Sequence, residues 1–348
     1  MKDIVSNKQE RLDYIDIYKC VAVLFVIITH YKWQDSERLT FLFPFWVKMA
    51  VPMFMLITGY VFAYSSEKKS VSLSESYNPI EILVKWLRYI LPFLPIYIFI
   101  LLVRIVAKNE NFTIPEIIID FISGGDGRGS YYVPILIQIT LFIPLIRWIV
   151  KKNPYLGISV CFFVNILYEI IKNIIHMNPD LYRIVSFRYI FIVSLGCFLF
   201  YKKSFNLLEK ILLILSGIAG GIFIYVFDYT VLEPHIFTQA TDTSCLAVLL
   251  ILPIFAFLFK YKKIHNKVLQ KIGSSSYGIF LIQMAFYYGP HSILYRYVKS
   301  VFIQIPVILI ICCSFGILYQ FINNKFFQIT VLKLKNYYNS QVKNKKAH

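Results

Sequence analysis

The sequence predicts an all-α, polytopic membrane protein with about ten transmembrane helices and both termini in the cytoplasm. The prediction rests on apolar composition, on the length of the apolar segments and on the placement of the basic residues. Of the 348 residues, 58% are hydrophobic and 16% are charged. An α-helix needs about 20 apolar residues to cross the hydrocarbon core of a bilayer. Ten segments of roughly that length lie near residues 14–32, 42–64, 82–106, 131–150, 154–175, 183–201, 207–228, 242–260, 270–290 and 301–323.

The first apolar segment follows Lys2, Lys8 and Arg11, as the apolar core of a signal peptide would. It has no small-residue cleavage site, and polar residues beginning with Lys32 follow it directly. We therefore expect this segment to be retained as a membrane helix.

Several later segments contain residues that distort or closely pack helices. The segment 207–228 carries SGIAGG, in which Gly217 and Gly221 are four residues apart, a spacing typical of close helix packing. Prolines inside the segments predict kinks, which neighbouring helices must accommodate. They are Pro52, Pro92, Pro95, Pro144, Pro253 and Pro306.

The net charge of +17 is explained by membrane topology and needs no nucleic-acid partner. With the N-terminus inside, the cytoplasmic loops and tails hold 20 Lys and Arg residues and the outer loops hold six. Such an excess on one side orients membrane proteins and matches anionic lipid. The expected location is the plasma membrane of a bacterium, as a multi-pass protein.

The sequence predicts one membrane domain, residues 14–323, between a cytoplasmic segment, 1–13, and a basic cytoplasmic tail, 324–348. The longest outer loop, near 107–130, contains SGGDGRGS, whose glycines permit turns at the edge of a substrate site. All six cysteines lie in predicted spans without metal-site spacing. We expect buried thiols, no disulfide framework and no metal.

Two ionisable residues bracket the first span. Lys19 and His30 are eleven residues apart, which places them within roughly 20° of one helix face and about 16 Å apart along the axis. We expect both to face one cavity, with Lys19 toward the cytoplasm. Alternatively, Lys19 reaches the inner headgroups with Asp16 as its charge partner, and His30 is an interfacial histidine.

The third span opens with LVKWLRYILPFLP, in which Lys85 and Arg88 share a face near the cytoplasmic edge. Together with Lys19 they could bind an anionic ligand entering from inside, because ionisable groups at such depths are costly and mark functional sites. The alternative is simple anchoring by inner positive charge.

Two further features are weaker. Glu169, Lys172 and His176 line one face of the fifth span. A stripe of polar residues paired with one another is a simpler interpretation than a catalytic set. Tyr131 and Tyr132 open the fourth span, where aromatic rings commonly mark the interface and could also shape a sugar site.

Six blocks in chain order resemble the acyltransferase-3 family of integral-membrane acyltransferases. They are RLDYIDIYKCVAVLFVIITH, AVPMFMLITGYVFA, KWLRYILP, YYVPILIQITLFIPLI, RYIFIVSLGCFLF and LQKIGSSSYGIFLIQ. The resemblance implies transfer of an acyl group, usually acetyl from cytoplasmic acetyl-CoA, to an extracytoplasmic acceptor such as a surface polysaccharide. Acyl-CoA, the glycan and membrane lipid are then the expected partners, and a homo-oligomer is compatible with the sequence.

Residue by residue, the family's Arg and His motif falls on Lys19 and His30, and its paired-arginine motif falls on Lys85 and Arg88. The last block often carries His where this chain has Gln283. Lysine keeps the charge but lacks the planar fork of arginine, and Gln283 cannot titrate. The resemblance implies that Lys19, Lys85 and Arg88 hold the CoA phosphates, with Asp16, Tyr132, Glu169 and Gln283 as supporting residues.

The expected mechanism has His30 as general base for the acceptor hydroxyl, with an acyl-histidine intermediate as the competing route. Two other functions stay open. One is a transporter or flippase of a glycan or lipid-linked intermediate, against which the chain shows no repeated halves. The other is a non-catalytic family relative.

Overall fold

The computed structural model describes residues 13–230, 245–259, 265–298 and 300–347, and these residues form helices and no strand. The α-helices are α1 Asp13–Thr29, α2 Asp35–Thr40, α3 Phe43–Trp46, α4 Ala50–Lys68, α5 Leu73–Ser76, α6 Pro79–Lys108, α7 Ile114–Ser123, α8 Tyr132–Lys152, α9 Pro154–Ile174, α10 Pro179–Ile184, α11 Ile190–Tyr201, α12 Leu207–Tyr229, α13 Leu252–Leu258, α14 Lys267–Ser274, α15 Ser276–Tyr288, α16 His291–Tyr297 and α17 Val301–Ala347. Short 3-10 turns are Val47–Met49, Ser186–Tyr189 and Ala247–Leu250.

Within the described ranges, six helices are long and apolar enough to cross a membrane, which confirms the predicted all-α membrane class. They are Phe43–Lys68, Pro79–Lys108, Tyr132–Lys152, Pro154–Ile174, Leu207–Tyr229 and Val301–Leu332. The other four predicted segments are helical over shorter lengths, in α1, in Ser186–Tyr201, in Ala247–Leu258, and in α14 with α15. The lengths therefore support six spans, and the number ten stays a prediction.

Two backbone carbonyls of α6, near the prolines at which the sequence predicts kinks, accept hydrogen bonds from neighbouring helices. Tyr277 of α15 donates a hydrogen bond to the carbonyl of Tyr89 at 2.8 Å. Tyr319 of α17 donates to the carbonyl of Pro92 at 2.6 Å. These hydrogen bonds tie the proline-containing part of α6 to α15 and α17.

Helices α4 and α11 pack closely against each other in the core through single glycines. A Cβ added to Gly59 would lie 2.0 Å from the carbonyl oxygen of Val193, and one added to Gly196 would lie 2.0 Å from that of Leu56. The predicted small-residue stripe on α12 also packs closely, since a Cβ on Gly220 would lie 2.5 Å from a backbone nitrogen of the Ala247–Leu250 turn. Small residues thus let these backbones touch.

Helix α1, which carries Lys19, packs against α4, α14 and α15. Its backbone touches α14, where a Cβ on Gly273 would lie 1.6 Å from the carbonyl oxygen of Asp16. This contact fixes the end of α1 that carries Lys19.

Charged side chains gather at two opposite ends of the helices. At one end Arg147 and Lys151 pair with Glu67, with Nη2 of Arg147 2.7 Å from the carboxylate. At the other end Arg104 contacts Asp120 at 3.0 Å. We call the first the inner end and the second the outer end, because the charge distribution predicts the first to be cytoplasmic.

Candidate active site

A cavity of about 380 Å³ opens among α1, α4, α6, α8 and α15, and all three predicted donor-site cations line it. Lys19 comes from α1, and Lys85 and Arg88 come from the first turns of α6. Their three-residue spacing puts Lys85 and Arg88 on one helix face, as the sequence predicts. We call this space the inner cavity.

The charges of the inner cavity are poorly balanced. Lys85 stacks over the ring of Phe62, with Nζ 5.3 Å from the ring centre, and Arg88 over Phe327 at 5.2 Å. Among the described residues that line the cavity there is no carboxylate, although Glu81 of α6 lies close enough to attract Lys85. Such an arrangement suits an anionic ligand.

The position of Lys19 agrees with both interpretations that the sequence left open, because Lys19 lines the cavity and also pairs with Asp16. Its ammonium lies 3.4 Å from a carboxylate oxygen of Asp16, and its side chain remains 30% exposed. Asp16, by contrast, is buried at 5% exposure. Asp16 therefore orients Lys19 without removing it from the inner cavity.

The outer end of the inner cavity is closed by aromatic rings. The predicted supporting residue Tyr132 lines the cavity and packs edge-on against Phe280, with ring centres 5.3 Å apart. Tyr277 stacks behind Phe280 at 6.2 Å, and Phe54 packs against Tyr132 at 6.2 Å.

His30 does not line the inner cavity, so the expectation that Lys19 and His30 face one open space is wrong for this structure. Helix α1 ends at Thr29, and His30 lies in the following turn, where its amide bonds the carbonyl of Ile27 at 3.3 Å. The helical angle between positions 19 and 30 no longer applies past the helix end. Phe280 also stands between His30 and the cavity.

The separation between His30 and the inner cavity is about one side chain. A Cβ built on Gly129 would lie 3.1 Å from Nε2 of His30 and 3.4 Å from the ring of Phe280. Both groups therefore border the same point. Gly129 has a φ of +81°, a left-handed conformation that glycine adopts without strain. A larger residue there would press on the imidazole.

The glycine-rich loop, residues 123–130, covers His30 and is held there by polar contacts. The guanidinium of Arg128 donates to the carbonyl oxygen of His30 and lies 5.5 Å from the ring centre of Tyr287. Gln283 is fully buried and donates from Nε2 to the carbonyl of Arg128 at 3.1 Å. Gln283 thus holds the loop over the site, a role that needs no titration.

An outer cleft of about 900 Å³ lies on the other side of this loop. Its walls come from α7, the glycine-rich loop and α10, and they include Asp120, Arg128 and Arg183. Arg183 packs over the ring of Tyr131, with Cζ 5.2 Å from the ring centre. Arg128 borders the outer cleft and contacts His30, so His30 stands between a cationic cavity and a mixed-charge polar cleft.

Glu169 belongs to a buried cluster that lines neither space. Its carboxylate accepts from the hydroxyl of Tyr182 at 2.7 Å and lies 3.4 Å from the ammonium of Lys172. His176 does not join this stripe, because it follows the end of α9 with a φ of 47° and is exposed. The paired interpretation of Glu169 and Lys172 therefore agrees with the geometry.

Two residues at the site were missed by the sequence reasoning. Arg128 is the single cation in SGGDGRGS, and its glycine neighbours were a usable signal for a loop that approaches another group. Phe280 lies in an ordinary apolar run, GIFLIQ, and carried no signal.

Comparison with known proteins agrees with the residue blocks. The model of the acyltransferase-3 family, described as an acyltransferase domain, matches residues 12–331, nearly the whole chain. No curated protein and no solved structure matched the chain. With its long apolar helices and this match, the chain is a membrane protein that belongs to the acyltransferase-3 family of acyltransferases.

Proposed function

We propose that this membrane acyltransferase moves an acetyl group from cytoplasmic acetyl-CoA to a hydroxyl of an extracytoplasmic glycan, with His30 as general base. The observation that carries the proposal is the convergence of Lys19, Lys85 and Arg88 on one cavity. The phosphates of CoA are anionic and suit three cations at the inner end. The thioester arm would then extend toward Tyr132 and Phe280.

The acceptor would enter from the outer cleft. Its polar walls offer carboxylate, amide and guanidinium groups beside an aromatic ring, Tyr131, which suits a carbohydrate. The glycine-rich loop and the Phe280 ring separate this cleft from the thioester. We infer that one of these moves when both substrates are bound, because His30 is otherwise one side chain away from the inner cavity.

In the proposed reaction, the neutral imidazole of His30 takes the proton of the acceptor hydroxyl as its oxygen attacks the thioester carbon. The new C–O bond forms, the C–S bond breaks and CoA leaves as a thiolate. The imidazolium proton then neutralises the thiolate, so His30 returns to its starting state. General-base catalysis of this kind contributes about 10² to 10⁴ in rate.

The test compares His30→Ala with His176→Ala, which removes an exposed histidine outside both spaces. Membranes with equal amounts of folded protein receive labelled acetyl-CoA, and the label in the external glycan is measured by mass spectrometry. We expect His30→Ala to lose about 10²- to 10⁴-fold in rate and His176→Ala to match the wild type. Full transfer by His30→Ala would refute the base assignment.

The same assay separates the competing functions. Movement of the glycan across the membrane without acetyl incorporation would support a transporter. A wild-type protein that neither binds CoA nor labels any glycan would support a non-catalytic relative.

A further inference from the structure

An aromatic wall lies at the outer end of the inner cavity, where it limits the space for the acyl group of the donor. Tyr132 and Phe280 form this wall, and the rings of Phe54 and Tyr277, which also line the cavity, pack against them. Buried aromatic rings at native packing density yield little space without a cost. A group that reaches the wall therefore meets a surface that is displaced only at a cost.

The position of the wall coincides with the place where the acyl group would lie. The three cations hold one end of the donor, and the wall stands at the other end of the same cavity. His30 lies directly beyond it, since Nε2 and the Phe280 ring border the same point beside Gly129. The acyl carbonyl would therefore react at the edge of Phe280, on the cavity side of the wall.

Resting on the proposed function, we propose that Tyr132 and Phe280 set the length of the acyl group, restricting the donor to two- or three-carbon thioesters. A short acyl group fits between the thioester sulfur and the wall. A longer chain runs into the rings and pushes the carbonyl carbon back from His30. Tyr132 and Phe280 are thus specificity-determining residues of the donor site.

The size of the expected selectivity follows from general pocket energetics. One methylene in a shaped apolar pocket changes kcat/KM by about 10- to 200-fold. We therefore expect the wild-type protein to prefer acetyl-CoA over butyryl-CoA by at least about tenfold. Replacing one ring with a small side chain creates space for the additional methylenes, so the preference should fall by about tenfold or reverse.

The experiment measures kcat/KM with acetyl-, propionyl-, butyryl- and hexanoyl-CoA for the wild type, Phe280→Ala and Tyr132→Leu. Phe280→Leu is made as well, because Phe280→Ala removes a buried ring and can impair folding. Folding is checked by size-exclusion chromatography and thermal unfolding in detergent. The ratio of acetyl to butyryl transfer is the readout, which a general loss of stability does not change.

Two control variants test whether a change in the acetyl-to-butyryl ratio is specific to the rings of the wall. Phe62→Ala removes an equal ring from the cavity lining beside Lys85, away from the wall, and should leave the acetyl-to-butyryl ratio unchanged. Tyr132→Phe keeps the ring and should also keep the ratio.

The outcomes separate this proposal from the one on which it rests. Wild-type transfer of acetyl and butyryl at equal efficiency overturns the length restriction and leaves the acyltransfer reaction standing. An unchanged ratio in folded Tyr132→Leu and in a folded Phe280 variant also overturns it. Transfer from no CoA thioester by the wild type overturns both proposals together.

Discussion

At the scale of single residues, Lys19 shows how one cation in the membrane can be both stabilised and usable. Asp16 lies 3.4 Å away and offsets part of the cost of burying the ammonium. The partial exposure of Lys19 toward the inner cavity leaves hydrogen-bond donors for a ligand. An ammonium is a point charge with rotatable donors, so it can follow a phosphate that an arginine fork would bind in one plane.

We predict that Lys19→Ala and Arg88→Ala each weaken CoA binding by about 10- to 150-fold, equivalent to the roughly 1.5–3 kcal/mol of a hydrogen bond to a charged group. Lys19→Arg keeps the positive charge and should bind CoA more tightly than Lys19→Ala does. The measurement is titration calorimetry of the purified protein with CoA.

A matched control for these variants is Lys325→Ala, an exposed cation on α17 that does not line the inner cavity. It should bind CoA as the wild type does, which excludes a general effect of positive charge. If both Lys19→Ala and Arg88→Ala bind CoA with unchanged affinity, the inner cavity is not the donor site.

At the scale of elements, the contact between α4 and α11 is among the tightest in the core. Gly59 and Gly196 each leave no room for a methyl group, because the opposing atom is a backbone carbonyl oxygen 2.0 Å from the added Cβ. Overpacking of this kind costs about 1–3 kcal/mol or more. We predict that Gly196→Ala and Gly59→Ala lower the melting temperature of the protein in detergent.

Gly221→Ala is the control on another helix. Its added Cβ would meet only the side chain of Leu250, at an ordinary 3.7 Å. Alanine favours a helix over glycine by about 0.8–1.0 kcal/mol, so this variant should melt at the wild-type temperature or above it. Equal destabilisation by Gly221→Ala and Gly196→Ala would contradict the account of close packing.

The same elements show what a sequence can predict about packing. The small-residue stripe of α12 was visible because its members share one helix face. Gly59 and Gly196 are single glycines in different helices, so their role in packing is visible only once the two helices are seen in contact. The end of α1 at Thr29 was likewise hidden, because His30 continues an apolar run and no glycine or proline stops the helix there.

At the scale of the whole molecule, the length of the apolar segments predicted the fold class, and the helical period with the order of the blocks predicted the meeting of Lys19, Lys85 and Arg88. Both depend on local spacing and on which helices are neighbours. The aromatic wall could not be predicted, because Tyr132 and Phe280 are 148 positions apart and look like ordinary core residues. Arg128 reaches His30 through a loop whose path the sequence does not determine.

The proposed donor and acceptor sites require one orientation of the protein in the membrane. The inner cavity and the outer cleft lie at opposite ends, so acyl-CoA can reach the cations only if the inner end is cytoplasmic. Ser36 on α2 and Ser74 on α5 are exposed at the outer and inner ends respectively. Substitution by cysteine changes little volume at either site, and five of the six native cysteines are buried.

We predict that a membrane-impermeant maleimide added to intact cells labels Ser36→Cys and leaves Ser74→Cys unlabelled until the membrane is permeabilised. The wild-type protein measures the background from Cys313, the one native cysteine that is not buried. The reverse pattern would place Lys19, Lys85 and Arg88 on the outside, where no cytoplasmic CoA could reach them. The predicted topology places 20 basic residues on the inner side and six on the outer side and so opposes that arrangement. The labelling pattern therefore tests the topology and the donor site in one measurement.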